Sequence, residues 1–393
     1  MRRTTLRQKH PGADFAGPTL PVCRRSVYRN SWVAVFVPLC LAVLMSLVTA
    51  EVTVRLFWRL CCAIPLLESD QILYAYYPEL RGSGDLPGSL RSGNRSLPAQ
   101  GDGFYDILFL GGSVLHKEWS SVEMELREQL AYRGHRNVRV FNLAMPAHTS
   151  RDSFLKYTAL RDARFDLVVI YHGINESRAN NAPPDVFRQD YSHYSWYENV
   201  NTLAPYHGTA IFALPYTMHY LINNIRQIIR KNQYISTYSV PKNWIKYGRE
   251  PRSAVSFQHN LNAIIALAEK RGDQILLMTF AAYAPENYSR YAFDQKQLDY
   301  GLHRSPIEWW GPPEHVLATV AVHNQIVRKI AALHGNVLFV DQAILMSGYA
   351  RYFDDVCHFT GKGSTKFVEN LVRVLPLDTQ VRPNSSIRGG NSE

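Results

Sequence analysis

Tyr105-Asp-Ile-Leu-Phe-Leu-Gly-Gly-Ser113 is the stretch that decides the fold. Its apolar run, bounded by turn residues, is typical of a strand that is buried on both faces of a sheet. Gly111 and Gly112 permit a sharp turn at the carboxyl end of this strand, which is where open α/β sheets place their ligands. A serine in this place is expected to be exposed, close to a helix amino terminus and able to attack a substrate. The tripeptide alone would also suit an ordinary loop.

Segments typical of strands and of helices alternate along the rest of the chain, which predicts βαβ units. The expected fold is a three-layer α/β/α sandwich around about five parallel strands, with one large insertion at about 178–252 that contains a helix over 216–231. Further strands are predicted over 137–142, 166–171, 274–279 and 336–340. Helices are predicted over 120–133, 150–161, 253–271, 313–334 and 360–375, and Ser150 or Asp152 is the expected cap of the second.

The amino-terminal region predicts a membrane anchor. Of the net charge of +10, a large part lies in residues 1–30, and the remainder shows no basic stripe, so no nucleic-acid partner is expected. The uncharged run Trp32–Ala50 is long enough to cross a bilayer, and the basic residues before it place the amino terminus in the cytoplasm. A cleaved signal peptide ending at Val48-Thr49-Ala50 is the alternative. Both interpretations export the bulk of the chain.

The predicted organisation follows from these composition changes. Residues 1–30 form a basic cytoplasmic tail, 31–50 a transmembrane helix, and 51–103 a juxtamembrane segment and linker. Within that linker, the stretch Val52–Leu67 carries Arg55, Arg59 and Trp58 and suits an interfacial helix. The catalytic domain is expected over 104–376, and the polar tail 377–393 is expected to be disordered. The five cysteines form neither a disulfide framework nor a zinc site.

Four loops could together supply a serine hydrolase site. Such a site needs a nucleophile, a base that takes its proton, a carboxylate that orients the base, and donors for the developing oxyanion. Ser113 follows the first strand, the loop 142–150 follows the second and the loop 171–176 follows the third. Asp355-Val-Cys-His358 precedes the last helix.

With these blocks in this order, the chain resembles the SGNH (GDSL-type) hydrolase family over about 105–375, apart from the insertion. The resemblance implies that Ser113 is the nucleophile and His358 the base. Its Asp-x-x-His spacing implies that Asp355, rather than the neighbouring Asp354, orients the histidine.

The resemblance also implies an oxyanion hole. The donors would be the Ser113 N–H, the Asn175 side chain in Gly173-x-Asn175, and the N–H of Ala147, which stands where the family usually has glycine. Gly112 replaces an aspartate that many members have, although not the triad acid. Glu176 replaces an aspartate that often follows the asparagine. Asn175 also begins a formal glycosylation sequon, but its place beside Ser113 favours the oxyanion role.

The insertion is rich in aromatic residues. Such side chains suit sugar rings, a membrane interface or a small accessory core, and the pattern does not choose among the three. The residues concerned are Tyr191, Tyr194, Trp196, Tyr197, Tyr206, Tyr216 and Tyr220.

The sequence therefore predicts a membrane-anchored, extracytoplasmic serine esterase or O-acyltransferase. Water as acceptor gives hydrolysis and a sugar hydroxyl gives transfer. The resemblance and the anchor favour acetyl esters of surface glycans, with lipid esters as the alternative substrates. No metal or cofactor is expected, and no oligomeric state is predicted. The rival hypothesis is a glycan-binding or assembly protein that keeps the fold without turnover, motivated by the departures at Gly112 and Ala147.

Overall fold

The computed structural model describes residues 31–72, 98–135, 137–160, 163–203, 211–230, 233–236 and 239–375. The predicted basic tail, residues 73–97 of the linker, the carboxyl-terminal tail and Tyr206 lie outside these residues. The chain divides into two compact units, residues 1–53 and 54–393.

The larger unit is built on a sheet of five parallel strands in the order β2-β1-β3-β4-β5. The strands are β1 (Tyr105–Gly111), β2 (Val138–Asn142), β3 (Leu167–Tyr171), β4 (Gln274–Met278) and β5 (Val337–Val340). This is the flavodoxin-like order of doubly wound folds, in which ligands bind where the order reverses, outside the carboxyl ends of β1 and β3. The predicted fold class is confirmed.

The α-helices follow the predicted alternation, with additional short ones. They are α1 (Ser31–Cys62), α2 (Val122–Tyr132), α3 (Ser150–Ala159), α4 (Ser195–Leu203), α5 (Leu214–Ile229), α6 (Ser253–Arg271), α7 (Arg290–Asp294), α8 (Pro313–Leu333), α9 (Gln342–Met346) and α10 (Gly361–Val372). Short 3₁₀ helices include Ser113–Leu115, Asn175–Asn181 and Ile307–Trp309. The cap of α3 is neither Ser150 nor Asp152 but Thr149, which forms a capping box with Asp152 because its extended backbone turns the hydroxyl toward the first turn.

Both faces of the sheet are buried, as the apolar run of β1 predicts. Ile107 and Phe109 pack into a core with α2 and α10, whereas Leu108 and Leu110 pack into a second core with α3 and α6. The alternation follows from the period of two in a strand. Because helices cover both faces, the carboxyl edge of the sheet is where loops can form a site.

Helix α1 extends beyond its expected end. Among the described residues, one helix is long and apolar enough to cross a membrane. It runs from Trp32 to Cys62, and its most apolar 18-residue window has a mean hydropathy of 2.5. The prediction ended the span at Ala50 and made Val52–Leu67 a separate interfacial helix. Instead, the helix continues without a break to Cys62, since Arg55 and Arg59 do not interrupt a helical backbone.

The residues after position 53 are packed into the larger unit. Trp58 is 5% exposed, its Nε1 donates to the Thr217 hydroxyl at 2.7 Å, and its ring lies 6.2 Å from that of Tyr220. Trp58 shares an apolar cluster with Ile64, which comes just after the end of α1. These contacts join a segment assigned to the linker to helices of the insertion, although the division of the chain at Phe104 remains a prediction.

The aromatic residues of the insertion mostly face inward. Tyr191, Tyr194 and Tyr197 are fully buried and form an accessory core with Ile235 and Trp244. Their rings contact one another at centroid distances of 5.6–5.9 Å. Of the three interpretations left open by the sequence, the structure therefore favours the accessory core for these residues.

The packing of Trp58 generates a stability prediction. Trp58→Ala should destabilise the full-length chain in detergent micelles by about 3–5 kcal/mol, because it leaves a cavity and removes the bond to Thr217. Leu60→Ala is the matched control on the same helix, since Leu60 is 85% exposed. Melting followed by circular dichroism measures both. Equal melting temperatures for the two variants would show that Trp58 lies outside the cooperative unit.

Candidate active site

Ser113 lies at the carboxyl end of β1, where Gly111 and Gly112 turn the chain into a short 3₁₀ helix. Its Oγ lies 2.7 Å from Nε2 of His358. The sequence led us to expect an exposed serine, but the residue is only 6% exposed. The difference arises because side chains from other loops close over it, which a strand-and-turn pattern does not reveal.

The His358 ring lies between Ser113 and the Asp355 carboxylate. Nδ1 of His358 lies 2.8 and 2.9 Å from the two Asp355 carboxylate oxygens. This contact fixes a proton on Nδ1 and leaves Nε2 free to accept one from Ser113. The ring of Trp119 packs over the imidazole, with centroids 4.6 Å apart. Asp354 makes no such contact and faces Arg304, at 3.9 Å.

The Asp355 carboxylate is fully buried but well supplied with donors. Backbone N–H groups of Ser305, Cys357 and His358 donate to it at 2.9–3.0 Å. Burial alone would raise its pKa, but the neighbouring His358 and these hydrogen bonds outweigh burial and hold the pKa below the usual value. The carboxylate therefore stays charged and can stabilise an imidazolium.

Serine–histidine contacts occur elsewhere in the fold, but in different surroundings. Ser253 Oγ lies 3.1 Å from Nε2 of His323, whose Nδ1 bonds the Gly173 carbonyl oxygen at 2.9 Å. A neutral carbonyl cannot stabilise an imidazolium as a carboxylate does. Ser253 and His323 are also fully buried within helices α6 and α8. This pair serves as a structural reference for the Ser113 pair.

Asn175 lies beside Ser113 with its amide in one orientation. Its Nδ2 donates to the His148 carbonyl at 2.9 Å, and its Oδ1 accepts from Nε1 of Trp310 at 2.9 Å. Because indole nitrogen only donates, this bond assigns the oxygen and nitrogen of the amide. The NH₂ group thus faces the loop after β2 and the turn at Gly112.

Two glycines in these loops lie where a side chain would clash with a neighbouring residue. A Cβ on Gly112 would lie 2.7 Å from Asn175 Nδ2, and a Cβ on Gly173 would lie 2.5 Å from Cβ of Phe280. An aspartate at position 112, where many members of the family that the sequence resembles have one, would therefore not fit without moving Asn175. Gly173 allows the loop after β3 to pass directly over Phe280.

Ala147 adopts a backbone conformation that normally favours glycine. Its φ is +67° and the residue is 4% exposed. Non-glycine residues reach this region at a cost of about 1–2 kcal/mol, because Cβ approaches the carbonyl oxygen. The glycine that the resemblance places here would adopt the conformation without strain.

Ionisable side chains behind the loops after β2 and β3 are deeply buried. Glu176 is 0% exposed, and its Oε1 accepts from the Ser150 N–H while Oε2 has no partner in the described structure. Burial raises the pKa of Glu176 to about 7, and it raises that of Asp152, which bonds Tyr197, to about 6. Burial also lowers the pKa of His172 to about 3, so this imidazole is neutral.

The space above Ser113 is small and adjoins a large groove. The pocket is lined by Ser113, Trp119, Pro146, Ala147, Asn175, Arg178, Ser305, Trp309, Trp310 and His358. Its volume of about 10 Å³ admits roughly one water molecule. Beyond Trp119 lies an open groove of about 930 Å³, whose walls include Lys117, Arg127 and Phe359.

Several of these residues escaped the sequence interpretation. Trp119, Trp309 and Trp310 line the pocket, and Trp310 orients Asn175. The adjacent pair Trp309-Trp310 was a signal, since two tryptophans next to each other are uncommon in a connecting segment. His148 contributes its carbonyl rather than its ring, while His172 bonds Ser153 at 2.6 Å instead of reaching Ser113.

Asp355, Cys357 and His358 are the grouping among the described residues that could in principle hold a metal ion, since their ligand atoms lie within 4.8 Å of one another. The fit is poor. The carboxylate already accepts from three backbone N–H groups and from His358. Burial raises the pKa of the Cys357 thiol well above its usual value, which disfavours the thiolate that a metal needs.

Comparison with known proteins found similarity only to solved structures. No protein-family model matches the chain. No curated protein matches it either. Among solved structures, it is similar to the acetyl xylan esterase AlAXEase, with 13% identity, 68% of this chain and 98% of that chain covered, and a TM-score of 0.38.

Two further solved structures show the same degree of likeness. A GDSL-like lipase from Bacteroides thetaiotaomicron VPI-5482 is 12% identical, with 77% of this chain and 97% of that chain covered and a TM-score of 0.38. A lipase/acylhydrolase from Enterococcus faecalis is 15% identical, with coverages of 69% and 94% and a TM-score of 0.35. At these TM-scores, the function of this chain has to be argued from its own site.

The positive φ of Ala147 generates the first prediction for the site. Ala147→Gly should leave stability within about 1 kcal/mol of the parent, because relieved strain offsets the added freedom of the unfolded chain. Ala147→Val should cost about 1–3 kcal/mol, since a β-branched residue fits this region poorly. Melting temperatures of the full-length variants measure the effect. A valine variant as stable as the glycine variant would contradict the assigned backbone.

The buried Glu176 generates a pH prediction. Its pKa is about 7 in the folded chain against 4.5 for the free group, so the folded chain holds a proton that the unfolded chain has released between these values. Stability from this group is therefore lost as pH rises through that window. Glu176→Gln should match the parent at the acid end and exceed it at pH 8 by at most about 3 kcal/mol.

Melting temperatures at acid and alkaline pH test this expectation. Glu286→Gln is the control, because Glu286 is exposed. A constant difference between Glu176→Gln and the parent across the pH range would show that folding does not raise the pKa of Glu176.

Proposed function

We propose that this chain is a serine esterase or O-acyltransferase that acts on small acyl esters of glycans. The observation that carries the proposal is the hydrogen-bonded series of Ser113, His358 and Asp355, with distances of 2.7 and 2.8 Å. A buried, charged carboxylate behind a histidine that faces a serine is the arrangement that activates a hydroxyl for attack on a carbonyl.

In the proposed reaction, Ser113 Oγ attacks the ester carbonyl carbon while His358 Nε2 takes its proton. The carbonyl oxygen becomes an oxyanion and accepts hydrogen bonds from the N–H groups of Ser113 and Ala147 and from Asn175 Nδ2. The C–O bond to the leaving alcohol then breaks, and His358 returns the proton to that alcohol. An acyl group remains on Ser113.

Water or a sugar hydroxyl next attacks the acyl-serine, again giving its proton to His358. Collapse of the second tetrahedral intermediate releases the acyl product and restores the Ser113 hydroxyl. Attack by water completes ester hydrolysis, and attack by a sugar hydroxyl completes acyl transfer. No metal or cofactor is required by either step.

The shape of the site supports a small acyl group on a polar, extended substrate. Trp119, Trp309 and Trp310 line the small pocket at Ser113, so a long acyl chain would meet their rings. The neighbouring groove carries charged side chains together with Trp119 and Phe359, and aromatic faces among polar groups suit sugar rings. These features favour acetylated glycans over lipid esters.

The location belongs to the same proposal. We propose that α1 anchors the chain in a membrane, with residues 1–30 in the cytoplasm and the sheet-containing unit outside. The uncharged run Trp32–Ala50 and the basic residues before it support this topology. A cleaved signal sequence would also export the unit, and the apparent mass of the mature chain distinguishes the two.

A fluorophosphonate probe on the full-length chain in detergent micelles tests for an activated serine. The parent should be labelled, Ser113→Ala and His358→Ala should not, and Asp355→Asn should react roughly 10⁴-fold more slowly because its histidine adopts the wrong tautomer. Ser253→Ala is the matched control and should be labelled like the parent, since its histidine partner lacks a carboxylate.

A folded parent that stays unlabelled would overturn the catalytic proposal and favour a glycan-binding protein. If it is labelled, cleavage of nitrophenyl acetate and nitrophenyl butyrate measures the acyl preference. Acetate should be cleaved at least about tenfold faster, because extra methylenes meet the tryptophan walls. Equal rates would contradict the small-acyl assignment.

A further inference from the structure

Helix α5 carries an apolar surface that no described residue covers. Its outer side chains recur at helical spacing and form what we call the aliphatic stripe, which continues the exposed Ile211 and Phe212 that precede the helix. The members of the stripe are Met218, Leu221, Ile222, Ile225, Ile228 and Ile229. The last two are 76% and 77% exposed. An exposed apolar surface of this length marks an interaction site.

The stripe belongs to a helix that is firmly held by its opposite face. Tyr216, Thr217 and Asn223 are buried, and Asn223 Nδ2 donates to the Asn199 side chain of α4 at 2.7 Å. Thr217 accepts the bond from Trp58 described above. Because polar and apolar contacts hold the inner face of α5, the aliphatic stripe is the outer face of a well-packed helix and not part of an unfolded segment.

Further apolar residues gather at the start of α5. The Arg55 guanidinium donates to the backbone carbonyl oxygens of both Leu66 and Ile211. It thereby links the turn at Leu66 to the segment that precedes α5, and both expose apolar side chains, Leu67 at 91% and Phe212 at 59%. The apolar surface therefore extends from α5 to the residues that immediately follow α1.

The connection of this apolar surface to α1 indicates that its partner is a membrane. Arg55 and Trp58 are part of the same continuous helix as the apolar run Trp32–Ala50. A chain whose helix enters a bilayer brings the residues that follow it to the membrane surface. The stripe itself carries no charge, while two exposed basic residues lie beside it. Arg226 is on the helix and also pairs with Glu198 at 3.5 Å, and Arg230 directly follows the last residue of the helix. An apolar face with basic residues beside it is typical of helices that lie in the headgroup region of anionic membranes.

We propose that the aliphatic stripe of α5, together with Phe212 and Leu67, inserts into the surface of the bilayer in which α1 is anchored. The inference rests on the proposed anchor and is independent of the chemistry at Ser113. With two attachments instead of one, the catalytic unit is held at a fixed height and tilt on the membrane. The site then meets substrates that lie close to the membrane surface.

Site-specific fluorescence on the full-length chain tests the inference. Cys23, Cys40, Cys61 and Cys62 are replaced by serine, and the fully buried Cys357 is kept. Ile225→Cys then supplies the single exposed cysteine, which carries an environment-sensitive nitrobenzoxadiazole label. Val255→Cys is the matched control, since Val255 is 62% exposed and Ile225 is 57% exposed. Phe212→Cys provides a second site on the apolar surface. Circular dichroism and melting show whether each labelled chain is folded.

The labelled chains are placed in vesicles of phosphatidylcholine and phosphatidylglycerol, with or without lipids that carry a nitroxide near the headgroup end of the acyl chain. At positions 225 and 212 we expect blue-shifted emission and at least twofold quenching by the nitroxide lipids. The label at 255 should show neither. Equal quenching at 225 and 255 would overturn the proposal. Blue-shifted emission at 225 without quenching would overturn it too, and would assign the stripe to a contact between two copies.

Discussion

The buried charge of Asp355 is the constraint on which the site depends. A carboxylate removed from water is stable only if hydrogen bonds and an opposite charge replace its hydration. The loop between the last strand and α10 meets this requirement with backbone N–H groups of Cys357 and His358, and Ser305 adds a third from another segment. His358 completes the set and in doing so acquires a fixed orientation toward Ser113. The need to satisfy one charge thus positions the base.

On the other side of Ser113, the loops are positioned by close packing and not by a buried charge. Asn175 can lie next to the turn after β1 only because Gly112 has no side chain, and Trp310 sets which end of its amide faces the turn. The positive φ of Ala147 brings the loop after β2 to the same place. The loops after β1, β2 and β3 therefore pack directly against one another around Ser113.

The insertion divides its apolar residues between two environments. The tyrosines of 191–197 fill an accessory core, in which their rings contact one another. The Tyr197 hydroxyl donates to the Asp152 carboxylate and the Tyr194 hydroxyl donates to the Asn175 carbonyl oxygen. The aliphatic residues of α5 face outward. The hydroxyl of a tyrosine can form hydrogen bonds where a core borders polar groups, which suits tyrosine to this position. Isoleucine and leucine have no polar group that could bond such a network or water. The apolar composition of the insertion therefore does not show which of its apolar residues are buried and which are exposed.

Much of the fold was predictable because it rests on local patterns. Apolar runs that end in turn residues mark parallel strands, and Ser113, Asn175 and His358 come at loop positions that a parallel sheet brings to one edge. The sequence alone therefore determined the fold class, and it predicted the serine, histidine, aspartate and asparagine of the candidate site but not the tryptophans that line it. Tertiary structure decided what depends on distant segments. Trp310 meets Asn175, and Trp58 meets Thr217, across long separations in the chain. No local pattern encodes such contacts, nor which face of α5 remains uncovered, because both depend on how separate elements pack.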